Sequence, residues 1–146
     1  MNEILVRAKQ RAIAQQLPYE GALTPQEAYQ LLQSLPNAKL VDVRTRAELE
    51  LVGRVPQAVH IEWASYPGMV ANANFSNELT QQVSKDTPLI FMCRTGGRSH
   101  NAAVVAESLG FIQAYNMLEG FEGEANQLKQ RTLINGWRHA GLPWVN

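Results

Sequence analysis

The segment Cys93-Arg94-Thr95-Gly96-Gly97-Arg98-Ser99 holds the chain's only cysteine, together with two arginines and a glycine pair. Those residue types in that order suit a reactive thiolate. The preceding Pro88-Leu89-Ile90-Phe91-Met92 reads as a buried strand, and His100 to Leu109 reads as a helix that stops at Gly110. Cys93 therefore falls at the carboxyl end of a strand and at the mouth of a helix, where free backbone N–H groups carry partial positive charge. Arg94 and Arg98 flank the turn, and all three features favour the nucleophilic thiolate. A lone cysteine is ordinarily a small buried hydrophobe. Here the strand end, glycines, arginines and helix start coincide, which singles Cys93 out for chemistry. Gly96 and Gly97 give the backbone the freedom to curl so that the N–H groups from Cys93 to Arg98 converge on the sulfur. Such a concave ring holds a thiolate or a small oxyanion, and Arg94 and Arg98 add planar donor forks. Ser99 either offers its hydroxyl to the loop or caps the helix.

The elements that must position this loop are legible upstream. Residues 2–17 read as a helix with Leu5, Ala8, Ala12 and Ile13 toward one side, packed on the domain. Residues 18–21 read as a break. Thr24-Pro25-Gln26-Glu27 has a cap, a proline at the first helical position and an acid at the third, so a second helix starts there and stops near Pro36-Asn37. Lys39 to Arg44 is a short apolar strand carrying Asp42, followed by a helical turn at Ala47-Glu48-Leu49 that Gly53 ends. Ala58 to Trp63 alternates like a strand, Pro67-Gly68 is a turn, and Asn77 to Val83 reads as helical. Ala114 to Met117 forms another short strand. Strands alternating with helices define an α/β class with a mainly parallel central sheet flanked by helices. Residues 119–136 break that rhythm as a long connection, and Gly136 to Trp144 reads as a short helix and a stop.

Composition sets the limits. At 146 residues with zero formal net charge, the chain suits one domain of ordinary size. Without a strong basic patch, nothing points to nucleic acid as a partner. The apolar runs are too short to cross a bilayer, so no membrane association is expected, and Met1 to Arg7 lacks the pattern of a secretory signal. One cysteine makes neither an internal disulfide nor a cysteine-rich zinc site, so no metal is expected. A reducing cytoplasm is the natural setting for a thiol that must stay free.

The loop from Cys93 to Ser99 resembles the Cys-Arg-x-Gly-x-Arg-Ser loop of the single-domain rhodanese family. Leu40-Val41-Asp42-Val43-Arg44 with Glu48 looks like that family's Asp-Val-Arg segment and following acid. Gly53-Arg54-Val55-Pro56-Gln57-Ala58 is similar to its Gly-His-Ile-Pro-Gly-Ala turn. Gly110-Phe111 followed by Tyr115 to Gly120, then Trp137 and Gly141-Leu142-Pro143, resemble its later landmarks. The likeness spans roughly residues 22–144. It implies a rhodanese-like domain over residues 21–146 behind an N-terminal helical extension over residues 1–20. It also implies a sulfurtransferase: Cys93 attacks the outer sulfur of a small sulfur-containing anion such as thiosulfate and becomes a persulfide. A thiophilic acceptor (cyanide, a thiol or a protein) then removes the sulfur. The loop residues Arg94, Thr95, Gly96, Gly97, Arg98 and Ser99 would bind substrate and persulfide, Asp42 and Arg44 would support them, and no cofactor is required. Arg54 and Gln57 depart from the family's usual histidine and glycine. Phe121 stands where a second glycine is common, and residues 122–136 look like an insertion that shapes the rim of the pocket.

Two other functions use related features. A cysteine phosphatase or arsenate reductase has a similar nest, but phosphatases place five residues between cysteine and arginine, and here four separate Cys93 from Arg98. A sulfur-carrier or regulatory module would dock a partner through the N-terminal helix or the 121–136 segment. Asp42 either bonds the loop or Arg98, or simply pairs with Arg44, while Arg44 and Glu48 have the spacing of a local pair. His100 lies in a helix's first turn, whose positive end disfavours a charged imidazole. His60 and His139 are scattered, and Trp63, Trp137 and Trp144 read as packing.

Overall fold

Alternation within one four-residue strand shows how the sheet is buried on both faces. Leu89 and Phe91 belong to one apolar cluster, with Val41, Leu79 and Ala102, while Ile90 and Met92 belong to another, with Leu31, Leu40 and Trp137. Successive side chains of a strand point to opposite faces, and a parallel sheet covered on both sides needs both sets apolar. The computed structural model describes residues 2–146. In chain order the elements are α1 (Glu3–Ala14), β1 (Gly21–Leu23), α2 (Pro25–Ser34), β2 (Lys39–Asp42), α3 (Arg46–Val52), β3 (Val59–His60), β4 (Ala64–Ser65), β5 (Val70–Ala71), α4 (Phe75–Gln82), β6 (Leu89–Met92), α5 (Gly97–Ser108) and β7 (Ala114–Met117). The five-stranded sheet runs β1-β7-β6-β2-β3 with every pairing parallel. The class is α/β, as the alternation of strands and helices implies.

Local chemistry accounts for the helix starts. Thr24 accepts from the Glu27 N–H while the Glu27 carboxylate accepts from the Thr24 N–H, and Thr45 and Glu48 repeat the arrangement at α3. Glu27 also takes hydrogen bonds from Arg7 (2.9 Å) and Arg11 (2.6 Å), which ties α1 to α2. In α1, Ala8 and Ala12 are buried, but Ile13 is 66% exposed. It lies one residue past Ala12, a rotation of about 100° away from the packed face.

Several boundaries differ from the sequence reading. Gly21, read as the end of a break, opens β1, because pairing with β7 makes a strand of the segment Gly21–Leu23, which is too short to show a period. The alternating stretch 58–63 contributes only Val59 and His60 to the sheet. It then leaves for a hairpin in which β4 and β5 pair antiparallel around a cis Tyr66–Pro67 peptide. The segment after Gly136 forms turns where a short helix was expected. Trp137 is buried there and donates its indole N–H to the Pro143 carbonyl (2.8 Å), which closes the turns on themselves. Among the described residues no helix is long and apolar enough to cross a membrane.

Candidate active site

The strand order creates the site. From β2 the chain moves outward to β3, whereas from β6 it moves the other way, to β7. The carboxyl ends of β2 and β6 therefore border the crevice where an open parallel sheet changes direction, the usual place for ligands in such folds. Cys93 follows β6, and Asp42 closes β2 beside it, in register with Met92.

The loop after β6 turns on Gly96, whose φ of 114° lies where side-chain-bearing residues are strained. The turn aims the Gly96 N–H at Cys93 Sγ (3.1 Å) and begins α5 at Gly97. The base of the loop is held from behind: the Phe121 N–H donates to the Cys93 carbonyl (2.8 Å) and the Glu122 N–H to the Arg94 carbonyl (3.1 Å). Gly120 (φ 71°) allows this approach, since a Cβ there would collide with the Arg94 carbonyl.

Sequence reading expected several loop amides to converge on an open sulfur. Among the described residues one amide, that of Gly96, is hydrogen-bonded to Sγ, and Cys93 is 1% exposed. The second contact is Ser99 Oγ at 3.3 Å. Ser99 donates its single hydroxyl proton to Asn116 Oδ1 (2.6 Å), and Asn116 is held in that orientation by Nδ2 donating to the Gly96 carbonyl (3.3 Å). The Ser99 hydroxyl thus lies between the sulfur and the Asn116 carbonyl oxygen, and its one proton can serve only one of them at a time. To donate to a sulfur anion, the Ser99 hydroxyl must turn away from Asn116. Gly96, not Ser99, is the N-cap of α5.

Asn116 is the site residue that sequence reading missed. It sits in β7, 4% exposed, within an otherwise apolar strand. A buried amide in the sequence Ala114-Tyr115-Asn116-Met117 is the signal that could have marked it, because such a group needs partners. It does not touch the sulfur and acts by positioning Ser99 and Gly96. Asn116→Ala would remove the acceptor of the buried Ser99 hydroxyl, a loss of about 1–3 kcal/mol, while the Gly96 carbonyl keeps the His100 N–H as its partner. We expect sulfur loading of Cys93 to slow by roughly an order of magnitude, measured by stopped mass spectrometry on a folded variant. An unchanged loading rate would reduce Asn116 to packing.

The arginines separate into different roles. Arg98 forms a two-pronged pair with Glu48 (2.7 and 2.9 Å), linking the loop after β6 to α3 after β2. Burial lowers the Arg98 pKa, but the hydrogen bonds and charge of Glu48, with smaller contributions from Cys93 and Asp42, raise it overall. Arg94 is exposed. Arg44 is fully buried and pairs with Asp42 (2.8 Å), with its guanidinium 4.2 Å from the Phe121 ring centre. Asp42 and Arg44 thus bond each other, and Glu48 pairs with Arg98 in place of its local neighbour Arg44. Phe121 is itself fully buried, so it belongs to the core and not to a pocket rim. His100 Nδ1 lies 2.7 Å from the Tyr19 hydroxyl, and His60 Nε2 lies 2.7 Å from the Arg44 carbonyl. Neither imidazole is hydrogen-bonded to the sulfur.

Glu27 and Glu48 make the fold sensitive to acid. Burial pushes both carboxyls up. For Glu27, hydrogen bonds from Arg11, Thr24 and Arg7 with the charge of Arg11 outweigh it, and for Glu48 those from Arg98 and Thr45 with the charge of Arg98 do so; each carboxyl is lowered from 4.5 to about 2. A carboxylate depressed on folding contributes stability above its unfolded pKa that is lost as pH falls toward the folded one. We therefore expect denaturant midpoints to hold above about pH 4.5 and to fall steadily toward about pH 2. In Glu27→Gln that fall should be shallower; identical acid profiles would mean that Glu27 titrates normally.

The comparisons with other proteins converge on one family. The profile of the rhodanese-like domain matches residues 24–127. A Rickettsia prowazekii protein, the uncharacterised RP600, is 36% identical over 120 residues, covering 81% of this chain and 91% of the relative. The thiosulfate sulfurtransferase GlpE of Tolumonas auensis is 33% identical over 98 residues, 67% of this chain and 81% of its own. The crystal structure of Rv0390 from M. tuberculosis shares 41% identity at a TM-score of 0.81, covering 87% of this chain and 98% of that one. The chain belongs to the rhodanese-like domain family, which includes relatives named as sulfurtransferases.

Proposed function

We propose that this protein is a sulfurtransferase that takes the outer sulfur of a donor such as thiosulfate onto Cys93 and passes it to a thiophilic acceptor, either cyanide or a thiol. The observation that carries this reading is the placement of Cys93 Sγ at the strand-order switch, 3.1 Å from the Gly96 N–H at the start of α5. In the first half-reaction the cysteine sulfur attacks the donor's outer sulfur. The S–S bond of thiosulfate breaks, its electron pair leaves with sulfite, and the thiol proton ends on the new Cys93 persulfide. In the second half-reaction the acceptor attacks that outer sulfur and the electron pair returns to Cys93. Every electron remains paired on sulfur, so the cycle calls on no redox cofactor.

The residues have separable roles. The Gly96 N–H and the positive end of α5 favour negative charge on the attacking sulfur. The Ser99 hydroxyl lies 3.3 Å from the sulfur, and turning its proton toward the sulfur would stabilise the anion. Arg98, held by Glu48, keeps a fixed positive group beside the reaction. A reducing compartment suits a thiol that must remain free. The direct test is intact mass after incubation with thiosulfate. One added sulfur on Cys93 is expected, with its removal by cyanide as thiocyanate; absence of the adduct with thiosulfate and with organic thiosulfonates alike overturns the reading.

A further inference from the structure

The cleft that abuts the Cys93 loop is shaped for an organic molecule more than for a compact inorganic anion. It encloses about 520 Å³ between α3, the β4–β5 hairpin and the loop. That volume falls in the range of small-molecule sites, roughly 300–1,000 Å³. Half of its lining is apolar, and three of those residues are solvent-facing side chains that nothing in the fold covers: Leu51 (80% exposed), Tyr66 (67%) and Met69 (46%). Exposed apolar side chains gathered on one cleft mark a binding surface, whereas single ones do not.

The charges along the same cleft cancel. Arg94 and Arg98 face it, and so do Glu48 and Glu122. Glu48 holds Arg98 through two hydrogen bonds, so the pair adds no net charge to the cleft although the guanidinium stays fixed at its edge. A site for a dianion requires surplus positive charge that this cleft does not have. One negative charge can be met by the exposed Arg94, with an apolar body lying against Leu51, Tyr66 and Met69.

We propose that the preferred sulfur donor is an organic sulfane compound, with an apolar body and no more than one negative charge, in place of a compact dianion such as thiosulfate. This rests on the sulfur-transfer reading of Cys93. With an organic thiosulfonate, Cys93 attacks the terminal sulfur, the S–S bond to the sulfonyl sulfur breaks, and the electron pair leaves on the organic sulfinate. The thiol proton ends on the persulfide, so atoms and charge balance with no further reactant.

Three donors that share the reactive sulfur separate the possibilities: thiosulfate, methanethiosulfonate and benzenethiosulfonate. Each rate of sulfur loading is divided by the rate of the same donor with free cysteine, which removes differences in leaving group. Benzenethiosulfonate should exceed methanethiosulfonate by about 10-fold or more in kcat/KM, as expected for covering one aromatic ring, with thiosulfate the poorest. In the Leu51→Ser, Met69→Ser double variant that preference should collapse toward the ratio seen with free cysteine. Both positions are solvent-facing, and circular dichroism checks that the variant is folded. Equal normalised rates for the two thiosulfonates, or thiosulfate as the best donor, overturn the proposal while leaving sulfur transfer intact. Absence of any sulfur on Cys93 with all three donors overturns sulfur transfer itself, and this proposal with it.

Discussion

Cys93→Ser is expected to abolish sulfur transfer completely while leaving the protein folded. The substitution exchanges one buried small group for another, and the Gly96 N–H and the Ser99 hydroxyl, which both contact Sγ, can bond an oxygen in its place. A serine hydroxyl cannot form the persulfide, however, and the chain has no second cysteine to substitute for it. Thiocyanate formation from thiosulfate and cyanide should fall to the uncatalysed rate, and no sulfur adduct should appear by mass. A thermal midpoint within a few degrees of the parent would show that the loss is chemical. Turnover retained in the variant would remove Cys93 from the mechanism.

Arg98→Ala should produce the second-largest effect, on two quantities at once. Removing one fixed positive group beside a reacting anion costs about 3–4 kcal/mol of transition-state stabilisation, or roughly 100- to 1,000-fold in rate. The same change strips Glu48 of its partner. With both side chains 19% exposed, the penalty is smaller than for a fully buried pair, about 1–3 kcal/mol. The two effects separate in the double variant Glu48→Gln, Arg98→Ala, because the neutral amide no longer needs a cation. Its denaturant midpoint should recover toward the parent while its activity stays low. Recovery of both would show that Arg98 acts only by holding Glu48 in place, and wild-type kinetics in Arg98→Ala alone would leave it a structural arginine.

What could be read from the sequence was what neighbours in the chain decide for one another. Thr24 with Glu27 and Thr45 with Glu48 cap their helices within one turn, so four residues suffice to reveal each start. The run Leu89–Met92, ending at Cys93 and a glycine pair, marks a buried strand entering a helix whatever lies elsewhere. The α/β class follows from such segments repeating. The tertiary structure decided the partners. Glu48 reaches Arg98 across fifty positions of sequence, because the switch in strand order brings the ends of β2 and β6 together. Its local spacing to Arg44 had suggested a different pair, but Arg44 is taken into the core by Asp42 and the Phe121 ring. β1 exists only because β7 pairs with it, and Asn116 matters only because β7 lies beside the Gly96 turn. The apolar cleft brings together α3 and a hairpin whose two-residue strands carry no period to detect. Periodicity and capping are short-range and leave a trace in the chain, whereas ion-pair choice, buried polar networks and cleft walls arise from segments that meet only after folding.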